Sequence, residues 1–301
     1  MSRPPARARR ARTEARAGLI WRHLVGDYSL ARSYWVHTVF VGWGVALIGA
    51  YVFRELGERG TMRSVSIAVL CFEPLLIVVW LWSVFGTTVS ALRRFLAGTQ
   101  MFWSLLALLS LALGTVATVH ELRKLGPYLK EHWAVAKGKQ PTEGFQVTLR
   151  DGGRVVAFSG GINDGAAAAI DQAIGEAPRV GTLLLDSPGG WLREGSRMAD
   201  VVRRYRLNTR VEGECFSACT LVLLAGANRS AGDRAVIGFH RGRSIGESAE
   251  ERAAPPDREE ADLYRRAGLK SEFVSRIVAT PNASIWIPTR YELERADVLT
   301  R

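Results

Sequence analysis

The sequence predicts three transmembrane helices followed by an α/β domain, a mostly parallel sheet with flanking helices. Three observations carry this. Long apolar runs lie at Tyr34–Phe53, Val65–Leu92 and Met101–Val119, and about 20 apolar residues are what a helix needs to cross the hydrocarbon core of a bilayer. From Gly144 onward, short apolar runs alternate with alanine-rich or amphipathic stretches, the strand–helix–strand order of an α/β core. The charge is also divided. The net charge is +11, yet Gly144–Arg301 holds 22 Lys and Arg against 21 Asp and Glu, so nearly all the excess flanks the apolar segments.

That distribution reads as membrane topology rather than a nucleic-acid surface, and no basic-aromatic interleaving occurs in the second half. Residues 1–33 form a basic tail in which Arg3, Arg7, Arg9, Arg10, Arg12, Arg16, Arg22 and Arg32 recur. A cleaved signal peptide is not expected, because the first apolar run starts late, is long and has no small-residue cleavage site after it. The spans occupy about 34–53, 65–92 and 101–119, and Glu73-Pro74 interrupts the second, which is expected to begin effectively at Pro74. Residues 120–143 form a polar connector, broken at Gly126-Pro127 and again from Gly138 to Pro141. The Arg-rich tail and Arg93-Arg94 share one side and outweigh Arg54, Arg59 and Arg63. The N-terminus is therefore expected in the cytoplasm of a multi-pass inner-membrane protein, with 144–301 outside.

In the domain itself, Phe145–Leu149 alternates as a strand, Asp151-Gly152-Gly153 turns a hairpin and Arg154–Ser159 returns. Gly165–Glu176 reads as a helix, Val180–Leu185 as a buried strand stopped by Ser187-Pro188-Gly189-Gly190, and Leu192–Arg206 as an amphipathic helix. Asn208–Glu212 is a further strand. Cys215-Phe216-Ser217-Ala218-Cys219 is a small-residue turn into an apolar run closed by Ala225-Gly226. Ala235–Gly238 is a strand that delivers His240. In a parallel α/β core the strand C-termini collect functional groups. At the start of a helix, Ser217 would sit where unpaired N–H groups favour developing negative charge, although a plain N-cap serine occupies the same place.

Strand with Ser-Pro-Gly-Gly, turn with Ser217 and Cys219, helix, and strand with His240, in that order, resembles the Clp-type protease branch of the ClpP/crotonase superfamily. The resemblance covers about half the chain, from Phe145 to Leu299. It implies a ClpP/crotonase-like fold and a serine peptidase with Ser217 as nucleophile, His240 as base, and the N–H groups of Gly190 and Ala218 as oxyanion hole. It also implies a peptide or protein substrate that adds as a strand, and a homo-oligomer as a possible assembly.

The third catalytic member departs from that pattern. The family's acid precedes an element whose counterpart here is Thr280–Thr289, with no Asp or Glu before Trp286. The side-chain oxygen of Asn282 is expected to accept from His240, as an amide does in Cys-His-Asn sites, with Ser284 as competitor. The acidic segment Glu247–Asp262 is a second source of an acid, but its Ala-Pro-Pro composition suggests a mobile loop. Cys215 and Cys219 either form a disulfide, in keeping with a place outside the cytoplasm, or stand as buried thiols. No Cys/His pairing has zinc-ligand spacing, and neither a cofactor nor a metal is expected. Other readings are a non-catalytic, membrane-tethered peptide- or partner-binding module, a crotonase-like acyl-CoA enzyme, and a Ser-Lys hydrolase for which Lys270 is the available lysine.

Overall fold

The computed structural model describes residues 18–247 and 258–300, in two compact units. The described residues of Met1–Gly60 with Ser64–Trp133 form the first, and Thr61–Arg63 with Ala134–Arg301 the second. Most of the Arg-rich tail lies outside the described residues.

The first unit holds α1 (Leu19–Leu24), a π-helical turn (Arg32–Phe40) running into α2 (Val41–Arg59), most of α3 (Met62–Leu96), and α4 (Met101–Ala136) up to Trp133. Three helical stretches, Arg32–Arg59, Met62–Leu96 and Met101–Arg123, are long and apolar enough to cross a membrane. Their apolar side chains, Trp43, Leu47, Val78, Phe102 and Val116 among them, point outward. Their polar ones turn inward. Ser33 and Ser90 share a 2.9 Å hydrogen bond, Thr38 and Thr87 one of 2.8 Å, and Ser83 donates to the His37 carbonyl at 2.9 Å. An inside-out arrangement of this kind suits helices whose surroundings are lipid.

Two expected breaks are absent. α3 runs unbroken through Glu73-Pro74 and α4 through Gly126-Pro127. A proline inside a helix removes one hydrogen bond and disturbs the preceding turn. In long apolar helices that loss is tolerated because neighbouring groups re-satisfy the backbone. The polar connector is therefore mostly helix as far as Ala136.

The second unit is a mixed α/β fold. β1 (Phe145–Arg150) and β2 (Val155–Gly160) form the expected hairpin, Phe145 opposite Gly160 and Arg150 opposite Val155. The rest of the sheet is parallel. β2 pairs with β3 (Thr182–Ser187), β3 with β4 (Asn208–Phe216), and β4 with both β5 (Arg229–Ala231) and β6 (Val236–Gly238). The helices are α5 (Ala166–Glu176), α6 (Leu192–Arg204), α7 (Ala218–Leu224), α8 (Arg258–Arg266), α9 (Ser271–Ala279) and α10 (Arg290–Arg295). Val156, Phe158, Leu183, Leu185 and Val211 from the strands meet Ile170, Met198, Val202, Val222 and Leu223 from the helices in one buried core.

The helices dock through small residues. A side chain at Gly195 of α6 would come within 2.8 Å of the Ala218 carbonyl of α7. One at Gly226, just past α7, would come within 2.1 Å of Thr209 Oγ1 on β4. Glu194 is buried in α6, and its carboxylate accepts from the Gly165 and Ala167 N–H groups at 3.1 and 3.0 Å. These are the unpaired donors that open a helix, here α5.

Candidate active site

β4 runs past the expected Glu212 to Phe216, so Cys215 is strand rather than turn. The register with β3 shifts between Leu185 and Ser187, and Ser187 then pairs with Cys215. The reversal is left to a single residue. Ser217 has φ 54° and ψ −123°, and α7 begins at Ala218. A side chain at such a positive φ costs on the order of 1–3 kcal/mol and persists only where its surroundings impose it. Here they do. The Ser217 N–H donates to the Gly238 carbonyl at 3.1 Å, and its carbonyl accepts from the Thr220 N–H at 2.9 Å and hydroxyl at 2.7 Å. A disulfide joins Cys215 to Cys219, with Cα atoms 5.3 Å apart, and both residues are fully buried. It is the disulfide alternative for this pair that the structure takes.

The Ser-Pro-Gly-Gly turn packs directly on this corner. Gly189 (φ 92°) has no room for a β-carbon, which would lie 2.5 Å from the Phe216 carbonyl and 2.9 Å from the Ser217 β-carbon. Gly190 is bridged to Ile162: the Gly189 carbonyl accepts from Ile162 and the Trp191 N–H donates to the Ile162 carbonyl, each at 2.8 Å. In such a parallel bridge the central residue's own N–H is left over. Neither the Gly190 nor the Ala218 N–H donates to any of the described residues. Two unused backbone donors therefore flank the corner that holds Ser217.

His240 follows β6 by two residues. β6 lies on β4 with Gly238 opposite Phe216, which carries the histidine toward the Ser217 end of the sheet. Its neighbour Phe239 is locked in the core among Tyr264, Phe273 and Trp286, with ring centroids 5.2–6.3 Å away. Phe239 and Trp286 exchange two backbone hydrogen bonds of 2.8 Å, and the Arg241 N–H donates to the Thr280 carbonyl at 3.0 Å. The segment from Thr280 to Trp286 thus runs antiparallel beside His240 and brings Asn282 to it. The Asn282 amide nitrogen lies 3.1 Å from His240 Nδ1 and 3.2 Å from the Arg241 carbonyl. The sequence led us to expect the amide oxygen there. The carbonyl explains the difference, since only the nitrogen can donate to it, and the other N–H then points at Nδ1. With Nδ1 accepting, a neutral His240 carries its proton on Nε2. Burial pulls the imidazole below the ordinary histidine value of 6.5, opposed by a hydrogen bond to the Arg241 backbone.

Ser217 and His240 do not hydrogen-bond to each other. Ser284 donates its N–H to the Pro281 carbonyl, and no hydrogen bond joins it to His240. In the acidic segment, residues 248–257 lie outside the described residues. Residues from Arg258 onward form α8 rather than a loop, with Glu260 accepting from the Gly242 N–H at 2.7 Å. Lys270 donates to the Arg295 carbonyl at 2.6 Å and lies 4.0 Å from Asp297.

Two residues near the corner escaped the sequence reading. Thr220 holds the Ser217 carbonyl, and the fully buried Tyr264 lies 3.5 Å from the Thr220 hydroxyl. Burial drives the Tyr264 phenol far above its usual range, so it stays neutral. Thr220 was legible as a hydroxyl in the first turn of the helix. Tyr264 was not, because it lies just beyond the acidic segment Glu247–Asp262 and belongs to none of the motifs.

No protein-family model and no curated protein matches this chain. Among solved structures, ClpP1 from Listeria monocytogenes and a point mutant of it each align with a TM-score of 0.39 at 19% identity, over 49% of this chain and 89% of theirs. Likeness at that level says nothing about chemistry.

Proposed function

We propose that the α/β unit is a Clp-type serine peptidase tethered to a membrane by the three apolar helices. The observation that carries this is Ser217, held at positive φ between the two unused N–H groups of Gly190 and Ala218. A serine whose only task is to open a helix has no need of that backbone corner. In the reaction the Ser217 hydroxyl attacks a peptide carbonyl carbon and passes its proton to His240 Nε2. The Gly190 and Ala218 N–H groups stabilise the oxyanion, and His240 returns the proton to the leaving amine. Water then releases the acyl group by the same proton route. For His240 to accept at Nε2, the Asn282 carboxamide turns over and offers its oxygen to Nδ1.

That requirement gives weight to a second reading. With Nδ1 accepting from Asn282, Nε2 is a donor, the wrong form for a base, and a non-catalytic peptide-binding module fits that resting state. A fluorophosphonate probe separates the two. The peptidase reading expects covalent labelling in the full-length protein, lost in Ser217→Ala, whereas an unlabelled but folded protein leaves the binding module.

A further inference from the structure

Ser217 sits at the centre of a five-residue covalent ring. The Cys215–Cys219 disulfide joins the penultimate residue of β4 to the second residue of α7, and the serine is the middle residue. Both cysteines are fully buried beneath the corner, whereas Ser217 is only half-buried. Apart from the disulfide, Ser217 is held by the Gly238 carbonyl and by Thr220. Thr220 belongs to α7 itself, so it moves with the helix. Gly238 fixes the Ser217 N–H but not the peptide plane that follows it. The orientation of that plane, and with it the Ala218 N–H, therefore depends on how α7 is tied to β4 at its start.

We propose that Cys215 and Cys219 are positioning residues for Ser217 and the Ala218 N–H, so that the site becomes competent only once the two thiols are oxidised. This rests on the peptidase reading above and adds its regulation. In the chemistry, one cysteine thiolate attacks the disulfide of an oxidant of the dithiol-oxidase class and forms a mixed disulfide, releasing one oxidant thiolate. The second cysteine thiolate then attacks the first cysteine's own sulfur in that mixed disulfide and expels the other oxidant thiolate. The chain gives up two protons and two electrons, and the oxidant becomes a dithiol. Without the ring, α7 and the Thr220 contact it carries can shift against β4, so Ser217 relaxes toward negative φ and its side chain and the following N–H swing out of register with Gly190.

The test compares full-length wild type and the Cys215→Ala/Cys219→Ala double variant in detergent, at a temperature well below both melting transitions. The first-order rate of fluorophosphonate labelling is measured at saturating probe. The expected result is a rate lower by about tenfold or more in the double variant, at an unchanged half-saturating probe concentration. If the disulfide only stabilises the fold, its removal lowers the melting temperature and leaves that rate alone. Equal rates overturn the inference and leave the peptidase reading standing. If the double variant does not fold, wild type made under reducing conditions is labelled before and after oxidised glutathione, with intact mass after denaturing alkylation establishing that the Cys215–Cys219 disulfide has formed. A rise on oxidation supports the inference, and no change overturns it. If oxidised wild type is not labelled at all, the peptidase reading falls. Hydrogen exchange at the Ser217–Thr220 amides then decides the positioning role. Faster exchange in the thiol form supports it, and identical exchange overturns it.

Discussion

On the proposed function, Asn282 sets which nitrogen of His240 carries a proton. Its amide nitrogen sits between the Arg241 carbonyl and Nδ1, so the resting imidazole holds its hydrogen on Nε2. An aspartate at that position could only accept from Nδ1, which would free Nε2 to take a proton from Ser217. Loss of the correct tautomer costs a Ser-His-Asp enzyme about 10⁴ in rate, so restoring it is expected to act in the opposite direction. Asn282→Asp should raise the Ser217 labelling rate by about tenfold or more. The pH profile should move with it. In wild type, burial holds His240 below 6.5, so the base stays neutral at pH 6.5 and is lost only as the pH falls further. The same depressed value means the unfolded chain binds more protons in that window, so this residue's contribution to stability is present above 6.5 and declines on acidification. A carboxylate at 282 favours the charged imidazole and should shift the acid limb upward. A rate and limb unchanged in Asn282→Asp would show that the amide does not set the tautomer.

At the level of elements, the site is a meeting of three turns around one strand end: Ser-Pro-Gly-Gly after β3, Ser217 after β4, and His240 after β6. Two of these contacts allow no slack. Gly189→Ala would place a methyl 2.5 Å from the Phe216 carbonyl at a φ of 92°, so the turn must withdraw from Ser217. Labelling should fall at least about 100-fold, since a misplacement of about 1 Å at a reacting centre can cost that much. Gly175→Ala, a helical glycine with open space around it, should label like wild type. A normal rate in Gly189→Ala would mean the Ser-Pro-Gly-Gly turn takes no part. The strand and helix order was legible because β1 alternates, α6 is amphipathic, and β2 and β3 are short apolar runs bounded by glycine or Pro-Gly-Gly turns. What was not legible came from pairings between distant segments. The extension of β4 to Phe216 depends on the register shift opposite Ser187, and β5 is a three-residue strand too short to carry a period. The Asn282–His240 contact was legible by position, but the orientation of the amide depends on the Arg241 carbonyl, which no side-chain pattern announces.

For the whole chain, what remains is on which side of the membrane the α/β unit lies. Two independent arguments meet here. The basic tail and Arg93-Arg94 carry more positive charge than Arg54, Arg59 and Arg63, and on that bias we propose a cytoplasmic N-terminus. On that proposal, three helices long and apolar enough to cross a membrane would put residues from about 144 onward on the far side. The Cys215–Cys219 disulfide belongs to that unit, and disulfides persist outside the cytoplasm, where no thiol pool reduces them. Against this stand Arg123, Lys124, Lys130 and Lys137 just after the third span, although long domains translocate despite such charges. A phosphatase reporter active only outside the cytoplasm should therefore be silent when fused after Arg94 and active when fused after Arg301. When protein from the same cells is denatured in the presence of an alkylating agent, Cys215 and Cys219 should resist alkylation until a reductant is added. Reporters agreeing on one side would overturn the three-span topology. An active reporter at Arg94 with a silent one at Arg301 would invert it and put the disulfide in a reducing compartment, where the two cysteines would be found alkylated.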